Sequence, residues 1–568
     1  MVGLLSPVSC LLSPISCLLH LMDPTIFACT KDNTAHTYRF PWRHFTHLLQ
    51  DRATHQADKP ALIFHDLDQH ARSEISYAEL EHKTATLAGC LSRDYGIAPG
   101  DRVAFALPNC PEIPLLTLAL FRLGATSVPL DLAKDVPERK RYKLQDASAK
   151  LLCVMPEHEA SEREIIPDIP IASVNHLLSS QADPADLEPE WSGNLEREQD
   201  TSIILYTSGT TGNPKGVLLT RQSITSNADG IIRWLGFDEH ERLSLLLPLH
   251  HVNSTVFSIT MLMTGGTLIL NSRYSVSGFW PVIAAEKATA TSIVPTIMAD
   301  LLSQEDTFDR EDHDIFALKK IMIGSAPVPA NLACRFHDRF GVRLIQGYGA
   351  TEVSLRVTGV PPDLPEDAYR AALEQNAIGV ELAHNNIRID GDPPEGELGE
   401  ILVRGPVVAG GYLNKPDATA EVFKNGWFHT GDIGCQRTIA DHTFYFIHGR
   451  KKEILIKGGV NISPIAVENA LLEALPELAA AYVIGLRHDR WGEEVCGAVV
   501  FKNEGDPETI ARITQQGQEG KIPGLSPYEA PAKIIAIARD DLPMTSTGKV
   551  QRSKLRDIIQ EKVDRGEC

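Results

Sequence analysis

The sequence predicts an α/β protein: a large N-terminal domain of layered α/β subdomains, followed by a smaller C-terminal α+β domain. Three observations predict it. Short apolar strand patterns alternate with segments of helical periodicity, the pattern of parallel strands covered by helices. Loops rich in Gly, Ser and Thr follow several of the strand ends. At 568 residues the chain exceeds what one compact core accommodates.

The elements run as follows. Residues 1–21 stand apart: Leu4-Leu-Ser-Pro-Val-Ser-Cys10 recurs as Leu11-Leu-Ser-Pro-Ile-Ser-Cys17. A signal peptide needs a basic n-region, yet the first Lys or Arg is Lys31, and Pro7 and Pro14 break a spanning helix. The segment is expected to be a non-native or disordered extension from a translated tandem repeat upstream of a start at Met22. From Phe40 to Leu130 strand and helix patterns alternate. Tyr77 to Ala88 has helical periodicity, Gly100 to Leu107 is turn then strand, and Glu112 to Leu123 is a helix ended by Gly124. Residues from Glu157 to Asp200 are polar and Pro-rich, a predicted surface excursion, and Pro361 to Glu374 is a second.

Ser202 to Leu205 forms a short buried strand that empties into Tyr206-Thr-Ser-Gly-Thr-Thr-Gly-Asn-Pro-Lys-Gly-Val217, with a helical pattern from about Thr220. Glycines permit close approach, backbone N–H groups and hydroxyls converge on an anion, and Lys215 adds charge. A Walker-type P-loop is excluded by order, because Lys215 precedes Gly216 and no Gly-Lys-Ser/Thr follows. The loop is one for a polyphosphate.

Other polar groups follow strands. Pro248-Leu-His-His251 places two imidazoles at a predicted strand end. Adjacent residues of a strand face opposite ways, so His251 is expected to line a pocket and His250 to be more exposed, with no shared metal. Gly347-Tyr-Gly-Ala-Thr-Glu352 ends the apolar run Val342 to Ile345. Its aromatic can lie against a base and its Thr-Glu pair can hold phosphate and Mg²⁺, although a Gly-Tyr-Gly turn also serves structure alone. Trp427 to Asp432 offers a carboxylate on a predicted tight turn, either a ribose ligand or a turn former. The sharpest domain boundary lies near Gly449-Arg-Lys-Lys452, giving residues 22–449 as a large domain and 450–568 as a smaller one. Within the smaller domain, Ala479 to Leu486 and Gly497 to Phe501 are strands and Ala511 to Ser526 is a weak helix with a loose loop. A Thr-Ser-Thr-Gly-Lys549 loop and a short basic helix close the chain.

Composition bounds the rest. With 54 Lys and Arg against 74 Asp and Glu, the formal charge is −20, which argues against a general nucleic-acid binder. The ten cysteines form no C-x-x-C pair and no zinc spacing, as expected of free thiols in a cytoplasmic protein. After residue 21 no run reaches the roughly 18–20 apolar residues of a membrane helix.

In order, these motifs resemble the adenylate-forming superfamily of acyl-CoA synthetases, adenylation domains and luciferases, from about Tyr77 to Leu555. The matching residues are the loop Thr207–Gly216, His251, Gly324-Ser325-Ala326-Pro327, Tyr348 to Glu352, Gly399 to Gly405 with Gly411-Tyr412, Thr430-Gly-Asp432, Gly449-Arg450, Gly458-Gly459 and Gly548-Lys549. The resemblance implies that residues 22–449 are the AMP-binding (adenylation) domain and 450–568 a mobile C-terminal α+β lid, and that the chain is a stand-alone acyl-CoA ligase: a carboxylic acid attacks the α-phosphate of Mg·ATP, and coenzyme A takes the acyl group from the acyl-adenylate.

It also implies the roles. Thr207, Ser208, Gly209, Thr210, Thr211, Gly212 and Lys215 hold the β- and γ-phosphates. Thr351 contacts the α-phosphate, Glu352 binds Mg²⁺ and His251 lies at the reacting end. Gly324, Ser325, Ala326, Pro327, Gly347, Tyr348 and Gly349 hold adenine, and Asp432 and Arg450 hold ribose. Lys549 bridges the acid's carboxylate and the α-phosphate. Lys452 is the hinge about which Gly458 and Gly459 replace Lys549. Val252, Asn253, Ser254 and the Ser325 region are expected to line the acyl pocket, which shows no acid placed for an ammonium. Departures from the family pattern are Thr443 for a glycine, His250 for an aromatic, and the loose match over Ala511 to Ser526. With 19 residues after Lys549, no fused carrier domain is expected. A free acyl carrier protein remains an alternative acceptor, and luciferase-like oxygenation or a non-catalytic nucleotide-binding protein are further alternatives.

Overall fold

The computed structural model describes residues 38–179, 200–207, 213–308, 314–326, 328–502, 507–544 and 550–566. All of them fall within one compact unit, Tyr38–Cys568, and the repeat-bearing segment 1–21 lies outside the described residues. Among the described residues, no helix is long and apolar enough to cross a membrane.

Two largely parallel sheets form the body. The first runs Ile171–Ser173, Leu151–Val154, Arg102–Ala106, Thr126–Pro129, Thr201–Thr207 and Lys215–Thr220, with only the last strand antiparallel. The second contains a parallel run of Pro60–Asp66, Thr267–Asn271, Arg242–Leu245, Ala290–Ile293, Lys320–Ile323 and Arg343–Tyr348. Antiparallel strands extend it through Thr358–Gly359, Ala377–Glu381, His442–Arg450, Trp427–Ile439, Gly399–Arg404 and Asn386–Ile389. Strands such as Leu151–Val154 and Thr267–Asn271 are buried at every residue, because helices cover both faces of a parallel sheet.

The helices between the sheets hold the two together. Tyr77–Tyr95 begins with a reciprocal cap between Ser76 and Glu79, a device worth about 1 kcal/mol. Its Tyr77 hydroxyl donates to the Gly266 carbonyl at 2.7 Å. Glu112–Leu123, Arg221–Leu235 and Val252–Thr264 join it in one apolar cluster with Phe105 and Leu205 of the first sheet and Leu245 and Leu268 of the second.

Both predicted excursions contain ordered elements. Between Glu157 and Asp200, the fully buried strand Ile171–Ser173 adds an edge to the first sheet. The three-residue segment Ile171-Ala172-Ser173 is too short a run to signal a strand. Within Pro361 to Glu374, Glu366–Glu374 is a helix that buries Tyr369, whose hydroxyl accepts from the Leu344 amide at 2.9 Å. Its polar outer face dominates its composition and hides the buried stripe.

The strand His442–Arg450 belongs to the large sheet, and the next strand, Leu455–Lys457, belongs to a separate five-stranded sheet with Val460–Ile462, Leu478–His488, Gly492–Phe501 and Lys533–Ala536. Alternate residues serve its two faces: Val483 and Val499 pack with Val467, Leu471 and Ile513, whereas Ile484 and Cys496 pack with Leu555 and Ile559. Across this sheet, Arg552 of the helix Arg552–Asp564 pairs with Glu468 of Pro464–Ala474 at 2.8 Å. The weak helix expected at Ala511 begins earlier and spans Pro507–Gln518.

Candidate active site

The polyphosphate loop is the tip of a β-hairpin. Thr201–Thr207 pairs antiparallel with Lys215–Thr220, ending at the pair Thr207↔Lys215, and the helix Arg221–Leu235 starts only after the second strand, capped by Thr220. This strand–loop–strand order separates it from a Walker-type loop, in which the glycines open directly onto a helix. Tyr206 anchors the base of the hairpin: its hydroxyl lies 3.0 Å from both Asp146 Oδ2 and the Lys143 carbonyl. Lys215 Nζ sits 4.8 Å above the ring of Tyr412, which steers the ammonium without neutralising it. Ser208, Gly209, Thr210, Thr211 and Gly212 lie outside the described residues.

Two neighbouring parallel strands, Lys320–Ile323 and Arg343–Tyr348, end at Gly324 and Gly349. Gly349 is demanded by packing, since a Cβ there would run into the Leu355 carbonyl. The chain then makes a 3-10 turn, Thr351–Val353, and passes through Ser354 and Leu355 at φ 59° and 128°, a reversal that aims Thr351 and Glu352 at the cleft. Glu352 Oε1 accepts from the Tyr412 hydroxyl at 2.8 Å, and the Glu352 carbonyl accepts from Ala409 N at 2.9 Å. Tyr412 thus touches both the expected metal ligand and the expected phosphate-binding lysine. Burial, then the Glu352 carboxylate, holds its phenol far above the ordinary tyrosine range, so it stays a donor at neutral pH.

Asp432 was expected on a tight turn. It lies instead inside the long strand Trp427–Ile439, directly opposite Arg450 of His442–Arg450. Gly431 at φ 71° and a register shift between Ile433 and Gly434 bend that strand locally, which is why its sequence resembles a turn. Asp432 is 4% exposed. Its Oδ2 accepts from the Tyr348 hydroxyl at 2.7 Å, and Arg450 Nε stands 3.2 Å from Oδ1. Oδ1 is buried and accepts no hydrogen bond, leaving an acceptor ready for a ligand hydroxyl. Burial and the adjacent carboxylate raise the Tyr348 phenol well above its usual range, and Asp432 raises the Arg450 guanidinium. Tyr348 and Arg450 therefore both keep their protons at neutral pH.

The histidine expectation needs correction. His250 and His251 lie in a turn leading into Val252–Thr264, not on a strand, so strand alternation does not separate them. Their rings are 4.4 Å apart, both are half-buried, and both line the same cleft. Asp131 stands 3.4 Å from His250 Nε2, and the three side chains each present a ligand atom within 4.8 Å of the others. Of the expected acyl-pocket residues, Val252 and Asn253 line the cleft, whereas Ser254 is buried and donates to the Leu247 carbonyl at 2.9 Å.

One cleft of about 2860 Å³ collects these groups. Thr207, Lys215, His251, Gly324, Ser325, Ala326, Gly347, Tyr348, Gly349, Thr351, Glu352, Asp432, Arg450 and Lys452 all border it. Pro327 and Lys549 lie outside the described residues. The chain on either side of Lys549 borders the cleft, with Met544 bridged to Val550 and the Met544 carbonyl accepting from Lys134 Nζ at 3.1 Å. Gly458 and Gly459 do not border it. They form the turn between Leu455–Lys457 and Val460–Ile462, at φ 58° and 85°, values that glycine adopts without strain. Sequence reasoning assigned no role to Tyr412 or to Arg356, a buried arginine that borders the cleft. Tyr412 carried a signal in its Gly-Tyr motif. Arg356 carried none, since only the packing reveals its burial.

A sequence profile described as AMP-binding enzyme matches residues 49–413, and one described as AMP-binding enzyme C-terminal domain matches 466–549. Feruloyl-CoA synthase from an Amycolatopsis species is 33% identical over 86% of this chain and 94% of its own length. The 2-succinylbenzoate–CoA ligase of Bacillus velezensis is 32% identical over 90% and 97%. Among solved structures, o-succinylbenzoate CoA synthetase from Bacillus subtilis, in complex with its acyl-adenylate intermediate, superposes with TM-score 0.76 at 28% identity. That match covers 90% of this chain and 98% of the other. The same enzyme with ATP and magnesium also gives 0.76, at 27% identity.

Proposed function

We propose a division of labour among the cleft residues of this chain, which belongs to the AMP-binding enzyme family and is an ATP-dependent acid–thiol ligase. Its substrates are a small-molecule carboxylic acid, ATP with Mg²⁺, and coenzyme A. In the first step a carboxylate oxygen of the acid bonds to the α-phosphorus of ATP. The bond from that phosphorus to the β-phosphate oxygen breaks, and pyrophosphate leaves. In the second step the thiol of coenzyme A gives up its proton, its sulfur bonds to the acyl carbon, and AMP departs.

The observation that carries the residue roles is the buried, hydrogen-bond-free Oδ1 of Asp432, facing the same cleft as Lys215 and Glu352. Arg450 faces this oxygen as an ion pair without hydrogen-bonding it, so Oδ1 keeps acceptor capacity that a ribose hydroxyl fills. From that fixed end the nucleotide's phosphates extend toward the hairpin. Thr207 and Lys215, with Ser208 to Gly212, hold the β- and γ-phosphates. Glu352 takes the Mg²⁺ that accompanies them, and Thr351 contacts the α-phosphate. Tyr348, Gly347 and Gly349, with Gly324 to Pro327, frame adenine.

The acid approaches past His251, where two anions must meet. Lys549 supplies the positive charge that offsets their repulsion in the transition state. We place the boundary of the mobile lid at Arg450, with Lys452 as the hinge. Rotation there withdraws Lys549 and brings the Gly458–Gly459 turn forward to admit the thiol arm. Separating the two chemistries in this way also limits attack by water on the acyl-adenylate.

A panel of carboxylic acids read by pyrophosphate release, with and without Lys549→Ala, tests this assignment. The variant should lose at least about 100-fold in acyl-adenylate formation, the scale of one transition-state charge contact, while still converting supplied acyl-adenylate and coenzyme A to thioester. Acyl-adenylate formation by the variant at the wild-type rate would show that Lys549 lacks this role. Offering a free acyl carrier protein in place of coenzyme A completes the test, because thioester on the carrier alone would reassign the acceptor.

A further inference from the structure

Arg356 is 2% exposed, yet among the described residues it has no acidic partner. Its backbone is fixed on both sides by Asn227, whose Oδ1 accepts from Arg356 N at 3.3 Å and whose Nδ2 donates to the Arg356 carbonyl at 2.6 Å. The side chain therefore cannot leave without unmaking the turn after Glu352. It runs across the ends of two adjacent strands, Lys320–Ile323 and Arg343–Tyr348. Glycines make room for it there: a Cβ on Gly324 would collide with Nη1, and a Cβ on Gly347 would sit 3.2 Å from Cδ. Nη1 donates to the Gly347 carbonyl. Nε and Nη2 are buried and make no hydrogen bond, although the residue borders the cleft. In the same cleft wall Asn253 has a second buried and unpartnered polar atom, Oδ1.

A guanidinium taken out of water without a counter-charge is among the costliest arrangements in a folded protein. Desolvation alone lowers its pKa, to about 10, and no carboxylate pulls it back. Compare Arg552, a half-buried cation that faces Glu468, and Arg450, an exposed one that faces Asp432. Arg356 keeps its charge at neutral pH, and its forked donors Nε and Nη2 present the geometry that receives a carboxylate bidentately. The missing anion is one that a ligand brings. In the ligase reading the phosphates of ATP are taken by the hairpin lysine and by the Mg²⁺ on Glu352, which leaves the acid as the source of the anion.

Resting on the ligase reading above, we propose that the acid activated by this enzyme is a dicarboxylic acid, whose second carboxylate is held by Arg356 while the first is adenylated. Arg356 then sets specificity, and the buried cation is completed only when the right acid is bound. A monocarboxylic acid of the same length leaves the guanidinium unpaired, so the site rejects it, as sites built to bond a polar group reject analogues that lack it.

Matched acids test this. Aliphatic monocarboxylic acids of several chain lengths and one aryl acid are compared with their counterparts bearing a second carboxylate, by kcat/KM for pyrophosphate release. Binding of each acid in the presence of a non-hydrolysable ATP analogue is measured by calorimetry. The wild-type enzyme should favour at least one dicarboxylic acid over its partner by about 100-fold. In Arg356→Met, which keeps the volume and removes the charge, that ratio should collapse, with the change in KM for the acid and not for ATP. Arg356→Lys should restore part of it, and melting temperatures of both variants report folding independently.

A monocarboxylic acid activated as well as every diacid, or equal losses on both classes in Arg356→Met, would overturn the proposal and leave the ligase reading standing. Diacid binding that requires Arg356 without pyrophosphate release would support the subsite and overturn the ligase reading. Failure of any diacid to bind or react would overturn the subsite.

Discussion

Replacing Tyr412 with phenylalanine removes one oxygen and tests how Glu352, the proposed metal ligand, is held. The Tyr412 hydroxyl donates to Glu352 Oε1 at 2.8 Å, and the residue is 9% exposed, so water cannot replace the lost donor. A hydrogen bond to a charged group in such surroundings contributes roughly 1.5–3 kcal/mol. At about 1.4 kcal/mol per factor of ten, kcat/KM for Mg·ATP should fall by about 10- to 150-fold. The ring remains, and with it the contact beneath Lys215 at 4.8 Å, so the phosphate lysine keeps its position. The assay is pyrophosphate release across a Mg²⁺ titration, in which the half-saturating Mg²⁺ concentration should rise. Thioester formation from supplied acyl-adenylate, which involves no pyrophosphate, should be affected far less. Tyr412→Leu removes the ring as well and should add a further loss in ATP KM through Lys215, on the order of 1 kcal/mol. A phenylalanine variant within twofold of wild type, with an unshifted Mg²⁺ midpoint and a lowered melting temperature, would refute the reasoning and make the hydroxyl structural alone.

Two further outcomes follow from the geometry. Gly349→Ala places a Cβ against the Leu355 carbonyl in a turn held by backbone hydrogen bonds, so it should cost about 1–3 kcal/mol by thermal unfolding and reduce acyl-adenylate formation by displacing Thr351 and Glu352. His44 caps the helix Phe45–His55 by accepting from His47 N at 3.1 Å, and burial, with the nearby His47 and Arg221 charges, lowers its pKa to about 4. Between about pH 4 and the unfolded value near 6.5 the unfolded chain binds the extra proton, so the stability this neutral cap contributes is present above that window and is lost as pH falls through it. His44→Asn retains a cap acceptor and should flatten the melting temperature between pH 7 and 5. An unchanged slope in that variant would assign the acid sensitivity to other groups.

Much of the site was legible because its parts are local in sequence. Thr207 and Lys215 flank one short connection between paired strands, and Thr351 next to Glu352 needs only the preceding strand end to present both at the cleft. What stayed hidden depends on residues far apart. Nothing near Glu352 announces that Tyr412, sixty positions later, orients it. Asp432 was expected on a turn because Gly431 and the bulge mimic one, whereas the pairing that places it in a strand comes from His442–Arg450. Strand alternation was applied to His250 and His251 although they had already left the strand, and a turn lets neighbouring side chains face the same way.

The sequence by itself determined the fold class, the order of the motifs and the family chemistry. Apolar periodicity and turn residues act over a few positions, and a linear pattern can carry them. Only the tertiary structure decided which charges are paired. Arg450 and Arg356 look equally ordinary along the chain, yet one is folded against Asp432 and the other is buried beside two glycines, with no acid among the described residues in reach. Burial and counter-charge are properties of the surroundings in space. For that reason the motifs announce an acid-activating enzyme, and the lone guanidinium in its cleft is what points to the kind of acid.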